Sequence, residues 1–446
     1  MTKRERDGDG NGDVNDAATE DARRAGAPTG RRGRRRRPGN AFDETLERND
    51  LFGAHGPRER ESYRVDARLG LRFVVPYEFD FICGVKERWA GKRLCELFAE
   101  EFPMRPLEYY RRARALGRLR VEENERAVVA GSNDENVDGP ILCGGNRVRH
   151  YIHRHEPPVL ADEVEVLSVT DDVVSVNKPA TLPVHPTGQY RLNTVMALLS
   201  ATRKDLGRLF PIHRLDKNVS GLLLLARSAE SANALRVKME SRQMRKEYVA
   251  RVQGHFNTGN EGWVLCDEAL GFDAKARVAL WRGKPGVGSM SERTEASFKE
   301  ASTKFSLLNT FDDGTSLVKC EPFTGRSHQI RAHLAFLGYP IANDVSYGGS
   351  LVEIERATLI QRACDTTVLD ESNQLTQDEG LSIDYTNPDR PSREANAELC
   401  PHCPRVVHAG DEAIDLEAIW LHCVRYSGDE WAFECPTPPW AEPSSS

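Results

Sequence analysis

The chain has 446 residues, 39% hydrophobic and 29% charged, with 61 Lys+Arg against 68 Asp+Glu for a net charge of −7. That length holds roughly two to four domains. The sequence shows neither the ~20 consecutive apolar residues of a membrane span nor a collagen repeat. Its ten cysteines are scattered without an export signal, so a membrane protein, a collagen and a disulfide scaffold are excluded. Residues 350–446 carry 6 basic and 19 acidic residues, so the rest of the chain is net basic, which permits a polyanionic partner.

Residues 1–60 read as a disordered tail holding an RRGRRRRPG run, which suits a nuclear address, an RNA-binding arm or a solvated tail. The opening is polar and acidic, unlike a secretory or mitochondrial leader. The expected compartments are cytoplasm and nucleus, with a mitochondrial location left open. Residues 61–158 read as a small α/β unit and linker. An extended run at 71–82 is broken by Pro76, helices are predicted at 86–102 and 107–116, and Gly117 caps the second before a short RLRVEE strand. Arg111 and Arg112 lie off the apolar face of that helix and are candidate phosphate contacts, or else an ordinary charged outer face. His150, His153 and His155 invite a metal reading, but no ligand pattern completes it, so the stretch before Pro157-Pro158 is expected to link two domains.

Residues 159–349 mix strands and helices without a βαβ repeat or a GxGxxG loop. Strands are expected at 164–166, 173–176, 222–226, 247–254, 305–311 and 315–321, and helices at 194–204, 228–243 and 325–338. This pattern predicts an α+β fold with a mixed, mainly antiparallel central sheet and flanking helices. Residues 350–399, with 11 acidic and 4 basic residues, read as an insertion. Within 400–440 a hairpin at 419–426 and 431–434 is expected to add two strands to the same sheet, and 441–446 is a tail.

Three stretches carry chemistry. In His213-Arg214-Leu215-Asp216 a carboxylate sits in a polar loop ahead of an apolar strand, where it needs a counter-charge or several donors. Alone, it reads as well as a turn or cap residue. The run from Thr324 to His333 concentrates guanidiniums, imidazoles, an amide and hydroxyls, suited to a phosphate or to pairing with a carboxylate. Tyr248, opening a strand in Lys246-Glu247-Tyr248, is either core or a flat face with a hydroxyl for a planar ligand.

With the NKPA…VHP stretch at 177–186, these segments resemble the RluA-type pseudouridine synthases: HRLD at 213–216, K-x-Y at 246–248 and G-R-x-H-Q-I-R at 325–331, in the family order. The resemblance covers roughly 160–349, with 413–440 similar to the closing strands. It implies that Asp216 is the catalytic carboxylate attacking the uridine at base or sugar, and that Arg326 pairs with it and keeps it ionised. It also implies that Tyr248 stacks on the uracil and is a candidate for the later proton abstraction, and that Arg214 fills the space the uridine leaves. His213, Lys178, His328 and Arg331 are expected to contact RNA. The isomerisation has no net redox change, so no cofactor and no metal are expected. Val219 stands where the family has Thr, which removes one hydroxyl near the nucleophile loop.

A narrower resemblance is to the eukaryotic branch acting at position 32 of the tRNA anticodon stem-loop. It rests on Trp89, Gly91, Tyr109-Tyr110, the HRHEPP run at 153–158, Leu421-His422 and Arg425-Tyr426. The helix pair at 86–120 resembles a degenerate form of the small RNA-binding domain that precedes many of these synthases. The expected partner is therefore RNA, tRNA first, for a monomer without a membrane. The alternatives are a synthase acting on messenger or mitochondrial RNA, an inactive RNA binder on the same fold, and a zinc-dependent RNA enzyme using the histidines and Cys400/Cys403. The zinc reading is disfavoured because a single CxxC lacks a second regular pair.

Overall fold

The structure is a computed structural model that describes residues 62–67, 69–103, 105–123, 126–127, 136–241, 243–274, 276–283, 298–350, 367–369, 375–377, 416 and 418–442. The arginine run at 31–37, most of the acidic stretch 350–399 and the CxxC at 400–403 lie outside the described residues.

β1 (Tyr63–Asp66) and β2 (Leu71–Val74) pair antiparallel, and Pro76 separates them from β3 (Tyr77–Gly84). The first predicted helix is shorter than expected. A 3₁₀ turn at Glu87–Trp89 is followed by Gly91 at φ +84°, and α1 begins only at Leu94 (Leu94–Glu101), because the left-handed glycine breaks the helical path. α2 (Leu107–Ala115) ends as the sequence suggests, with Gly117 at φ +70° and the Arg118 N–H donating back to Ala113 O. β4 (Leu119–Glu123), β5 (Arg126–Ala127) and β6 (Arg147–Arg154) then form a sheet in the order β3-β6-β4-β5. Trp89, Leu94, Leu97, Phe98, Tyr110, Leu119 and Val148 make its core.

The histidine stretch is therefore not all linker. His150 and His153 lie in β6, His150 buried against Phe98 and Tyr110, and His153 bonded to Glu78. Burial and neighbouring arginines push His150 down to about 3. The joint to the next unit is Glu156, which is fully buried. Its carboxylate accepts from Tyr77 Oη at 2.6 Å and from the backbone N–H groups of Arg191, Leu192 and Asn193 at 3.0, 2.8 and 2.9 Å. β7 (Val159–Leu160) closes onto β2.

The large unit follows: β8 (Glu165–Val169), β9 (Val173–Lys178), α3 (Val195–Thr202), β10 (Phe210–Pro211), β11 (Ser220–Ala226), α4 (Ala229–Glu240) and β12 (Arg245–Gln253). β13 (Trp263–Cys266), β14 (Gly271–Asp273), β15 (Val278–Leu280), β16 (Thr303–Thr310), β17 (Thr315–Pro322) and α5 (Gln329–Phe336) come next. Within the acidic segment, β18 (Thr367–Leu369) and β19 (Leu375–Gln377) pair as a small hairpin. β20 (Leu421–Ser427) and β21 (Ala432–Glu434) end the chain's strands.

The main sheet runs β13-β16-β17-β12-β20-β11-β9-β8, antiparallel except where β11 meets β20. The Leu-rich run of β11 is apolar on both faces because both are covered. Leu222 and Leu224 join the core that holds Ala232 of α4 and Leu334 of α5, while Leu223 and Leu225 join the core that holds Val195 and Leu199 of α3. Each such leucine contributes about 1.5–3 kcal/mol of burial. The predicted C-terminal hairpin does add to this sheet, and β20 enters at its centre. Gly221, at φ +109°, makes that insertion fit, since a Cβ there would stand 2.3 Å from Cys423 O.

Candidate active site

β10 and β11 are joined by the loop that presents Asp216, and four contacts hold its shape. Leu224 N–H donates to His213 Nε2 (3.1 Å), Lys178 Nζ donates to Lys217 O (3.1 Å), Val219 N–H donates to Asp216 O (3.2 Å) and Ile419 N–H donates to Asn218 O (3.0 Å). The Asp216 carboxylate is left 22% exposed, facing a cavity of about 1070 Å³. That volume reaches the upper end of ordinary ligand pockets, about 300–1,000 Å³.

The opposite wall is the 324–331 segment, and here the expected helix start fails. His328 is left-handed, at φ +55°, and α5 begins at Gln329. The Gln329 amide oxygen accepts from Thr324 Oγ1 (2.6 Å) and Arg326 N–H (3.0 Å), while its nitrogen donates to Ser302 O and Thr303 Oγ1. This tight turn swings Arg326 outward, so 326 and 330 do not share a helical face.

The guanidinium beside Asp216 is consequently that of Arg331, not Arg326. Arg331 Nη1 lies 3.5 Å from Asp216 Oδ2, whereas Arg326 is exposed at the cavity wall with its Nε donating to Glu300 O. Arg331 is itself clamped by buried Asp344, its Nε and Nη2 donating at 2.7 and 2.8 Å, and it lies over the Tyr347 ring. Burial works against its charge, but the bonds to Asp344 and the charges of Asp344 and Asp216 outweigh it and hold the guanidinium above its usual range. His328 places Nε2 3.8 Å from Asp216 Oδ2 and anchors Nδ1 on the Tyr347 hydroxyl (3.0 Å); burial lowers its affinity for a proton.

Tyr248 and Arg214 also line the cavity, Arg214 exposed and Tyr248 nearly buried. Three of the expected RNA contacts are internal. Lys178 is fully buried, its ammonium donating to Pro179 O, Leu182 O and Lys217 O, and burial pushes it down to about 7. His213 reaches the cavity edge, but both ring nitrogens are engaged, with Leu224 N–H and the Tyr426 hydroxyl. Arg331 is committed to two carboxylates. Arg111 and Arg112 are on α2, away from the cavity lining, and Arg111 forks onto Asp138 at 2.7 and 3.2 Å. Among the described residues no group of three or more His, Cys, Asp or Glu side chains has the geometry to hold a metal ion.

Asp344, Tyr347 and Lys304 were not among the residues that the sequence singled out. Asp344 lies 13 residues beyond Arg331 with no periodicity to link them, so only the fold reveals the clamp. The lining holds Arg214, Arg236, Arg245, Lys246, Lys304, Arg326 and Arg331 against Asp216, Glu240 and Glu321, an excess of positive charge suited to a polyanion.

A family profile for RNA pseudouridylate synthase matches residues 172–336. The chain is 41% identical over 395 residues to RNA pseudouridine synthase 7 of Oryza sativa subsp. japonica, covering 86% of this chain and 93% of that one. It is 32% identical to the mitochondrial tRNA pseudouridine(32) synthase of Saccharomyces cerevisiae, covering 83% and 77%. It is 30% identical to the tRNA pseudouridine(31) synthase of the same yeast, covering 84% and 97%. The α+β architecture, the cavity that joins three of the four motifs and these similarities agree: the chain belongs to the RluA-type RNA pseudouridine synthases, isomerases acting on RNA.

Proposed function

We propose that this enzyme isomerises a uridine of the tRNA anticodon stem-loop, at position 32, with Asp216 as the nucleophile. The observation that carries the chemistry is the Asp216 carboxylate, held at the cavity by a pinned loop and faced at 3.5 Å by an arginine itself clamped to Asp344. The target uridine leaves its stack at a cost of a few kcal/mol. Tyr248 offers a flat face to the uracil, and Arg214 at the rim fills the place vacated in the RNA, so that stacking and arginine contacts offset the extrusion. Asp216 then attacks the base or the sugar, and the bond it forms is broken again before the product leaves, which restores the carboxylate. The N1–C1′ bond breaks, the ring turns, and a C5–C1′ bond forms. C5 loses a proton and N1 gains one, so atoms and charge balance without oxidant, reductant or water consumed. That balance calls for neither a cofactor nor a metal.

The choice of tRNA and of position 32 rests on the yeast relative of that name and on the HRHEPP and Arg425-Tyr426 signatures. The yeast relative named for position 31 makes the neighbouring uridine the competing target. A monomer working in cytoplasm or nucleus completes the proposal; no helix among the described residues is long and apolar enough to cross a membrane. The test is pseudouridine mapping in RNA from cells with and without the protein, together with purified enzyme on anticodon stem-loops carrying uridine at 31, 32 or both. Loss of the modification at 32 in cells and its formation there in vitro support the proposal. Formation at 31 alone, or only in messenger RNA, overturns the assignment of substrate.

A further inference from the structure

Tyr248 does not stand alone in the cavity wall. β12 and β20 run antiparallel with Lys246 opposite Tyr426 and Tyr248 opposite Cys423, so residue 424 is an extra residue in β20. In a regular strand Cys423 and Tyr426 would point to opposite faces, being three apart. The bulge puts both on the face of Lys246 and Tyr248, where the phenol of Tyr426, 1% exposed, reaches the back of the cavity. Its hydroxyl lies 3.3 Å from the Tyr248 hydroxyl and 3.3 Å from His213 Nδ1, and the His213 ring packs on it at 4.7 Å between centroids.

The chain of bonds has a direction at one end. Leu224 N–H donates to His213 Nε2, in the gap where β11 has neither β10 nor β20 beside it. That uses the Nε2 lone pair and leaves the proton of the neutral ring on Nδ1, aimed at Tyr426 Oη. A hydroxyl so held turns on one side to the imidazole and on the other to Tyr248. Tyr248 and Tyr426 are both buried, and their hydroxyls bond to each other and to the Cys423 thiol, while Tyr426 alone is also braced by His213.

We propose that Tyr426 is a positioning residue for the isomerisation: through its hydroxyl, fixed by His213 Nδ1–H, it holds the Tyr248 phenol in the orientation that faces the uracil. This rests on the reading of Tyr248 as the residue against the uracil. The bulge and the histidine brace together serve to deliver one hydroxyl to another.

The test is a double-substitution cycle on the full-length enzyme with a tRNA anticodon stem-loop that the wild type converts. Tyr426→Phe is expected to lower kcat about tenfold, the size of one lost hydrogen bond, with KM within about twofold. Tyr248→Phe lowers kcat as well, and the double variant is no slower than Tyr248→Phe alone, since both changes break the same contact. His213→Gln, whose amide oxygen can still accept from Leu224 N–H but which places no N–H at the Nδ1 position facing Tyr426, also lowers kcat and stays readable if a tyrosine variant folds poorly. Effects of Tyr426→Phe and Tyr248→Phe that multiply, or an unchanged kcat in Tyr426→Phe with only a lowered melting temperature, overturn the proposal and leave Tyr426 a packing residue. A wild type that makes no pseudouridine would instead sink the reading of the site itself.

Discussion

The arginines of the N-terminal unit and those around the cavity look alike in the sequence and differ in what surrounds them. In the small domain Arg111 is forked onto Asp138, Arg118 meets Glu78, and Arg149 lies between Asp80 and Glu122. At the cavity, seven basic side chains share a lining with three acidic ones. Arginines neutralised by their own neighbours mainly shape a surface, and the local excess around the cavity is what a phosphodiester backbone meets. A helix dense in arginine is thus a poor guide to RNA contact until its carboxylate partners are known.

The sharpest break in that comparison is to make a cavity arginine resemble a stranded one. Asp344→Asn removes the bidentate carboxylate from Arg331, which is itself about nine-tenths buried. Such a break costs about 3–5 kcal/mol of stability and should also lower kcat strongly through misplacement of the guanidinium beside Asp216. Urea unfolding and turnover measured on one preparation check both effects; unchanged turnover would mean that the Asp344 clamp does not serve Asp216.

Acid should weaken the catalytic domain next. Burial pushes His213 down to about 3 and His422 to about 4. The unfolded chain takes up protons near pH 6.5 while the folded one does not. The stability these rings contribute is therefore full above pH 6.5, falls as pH drops below it, and levels off once the folded values are passed. With the limiting slope of about 1.4 kcal/mol per pH unit for each ring reached only below pH 6, the two together lose about 3 kcal/mol between pH 6.5 and 5. Denaturant midpoints across that range test it, and a flat profile would show that these rings take up protons as readily in the folded protein as in the unfolded chain.

Smaller changes sharpen the contrast between the two sets of basic residues. Lys304→Ala and Arg245→Ala at the cavity should each weaken RNA binding several-fold at ~0.15 M salt and reduce the salt dependence by about one counter-ion. Arg111→Ala in the N-terminal helix should leave binding within about twofold, its charge being already matched by Asp138. Filter-binding titrations over a salt series compare the three directly; an Arg111 effect as large as that of Lys304 would restore the helix as an RNA surface.

Much of this architecture was legible from local patterns. The apolar run at 222–226 announced a strand, which the structure buries on both faces, and Gly117 announced the end of α2, because apolar runs and glycine geometry are written in neighbouring residues. The Asp216 loop, Tyr248 and the 325–331 run were legible as motifs, and the structure brings them to one cavity. What stayed hidden depended on register and long range. The turn at His328 moved the helix start by four residues from 325 and exchanged Arg331 for Arg326 beside Asp216. The bulge in β20 turned Tyr426 to the cavity, and Lys178, expected at the RNA, is consumed by three carbonyls beneath the loop. None of these has a signature within its own few residues.

Covalent attack by Asp216 is the step on which the other assignments depend. The direct measurement is conversion of a tRNA anticodon stem-loop by Asp216→Asn, read by mass spectrometry of the labelled product beside the affinity of the same variant for the same RNA. The expected result is no detectable pseudouridine, with binding retained within a few fold. Pseudouridine formed by the purified variant at a rate comparable to wild type would contradict it.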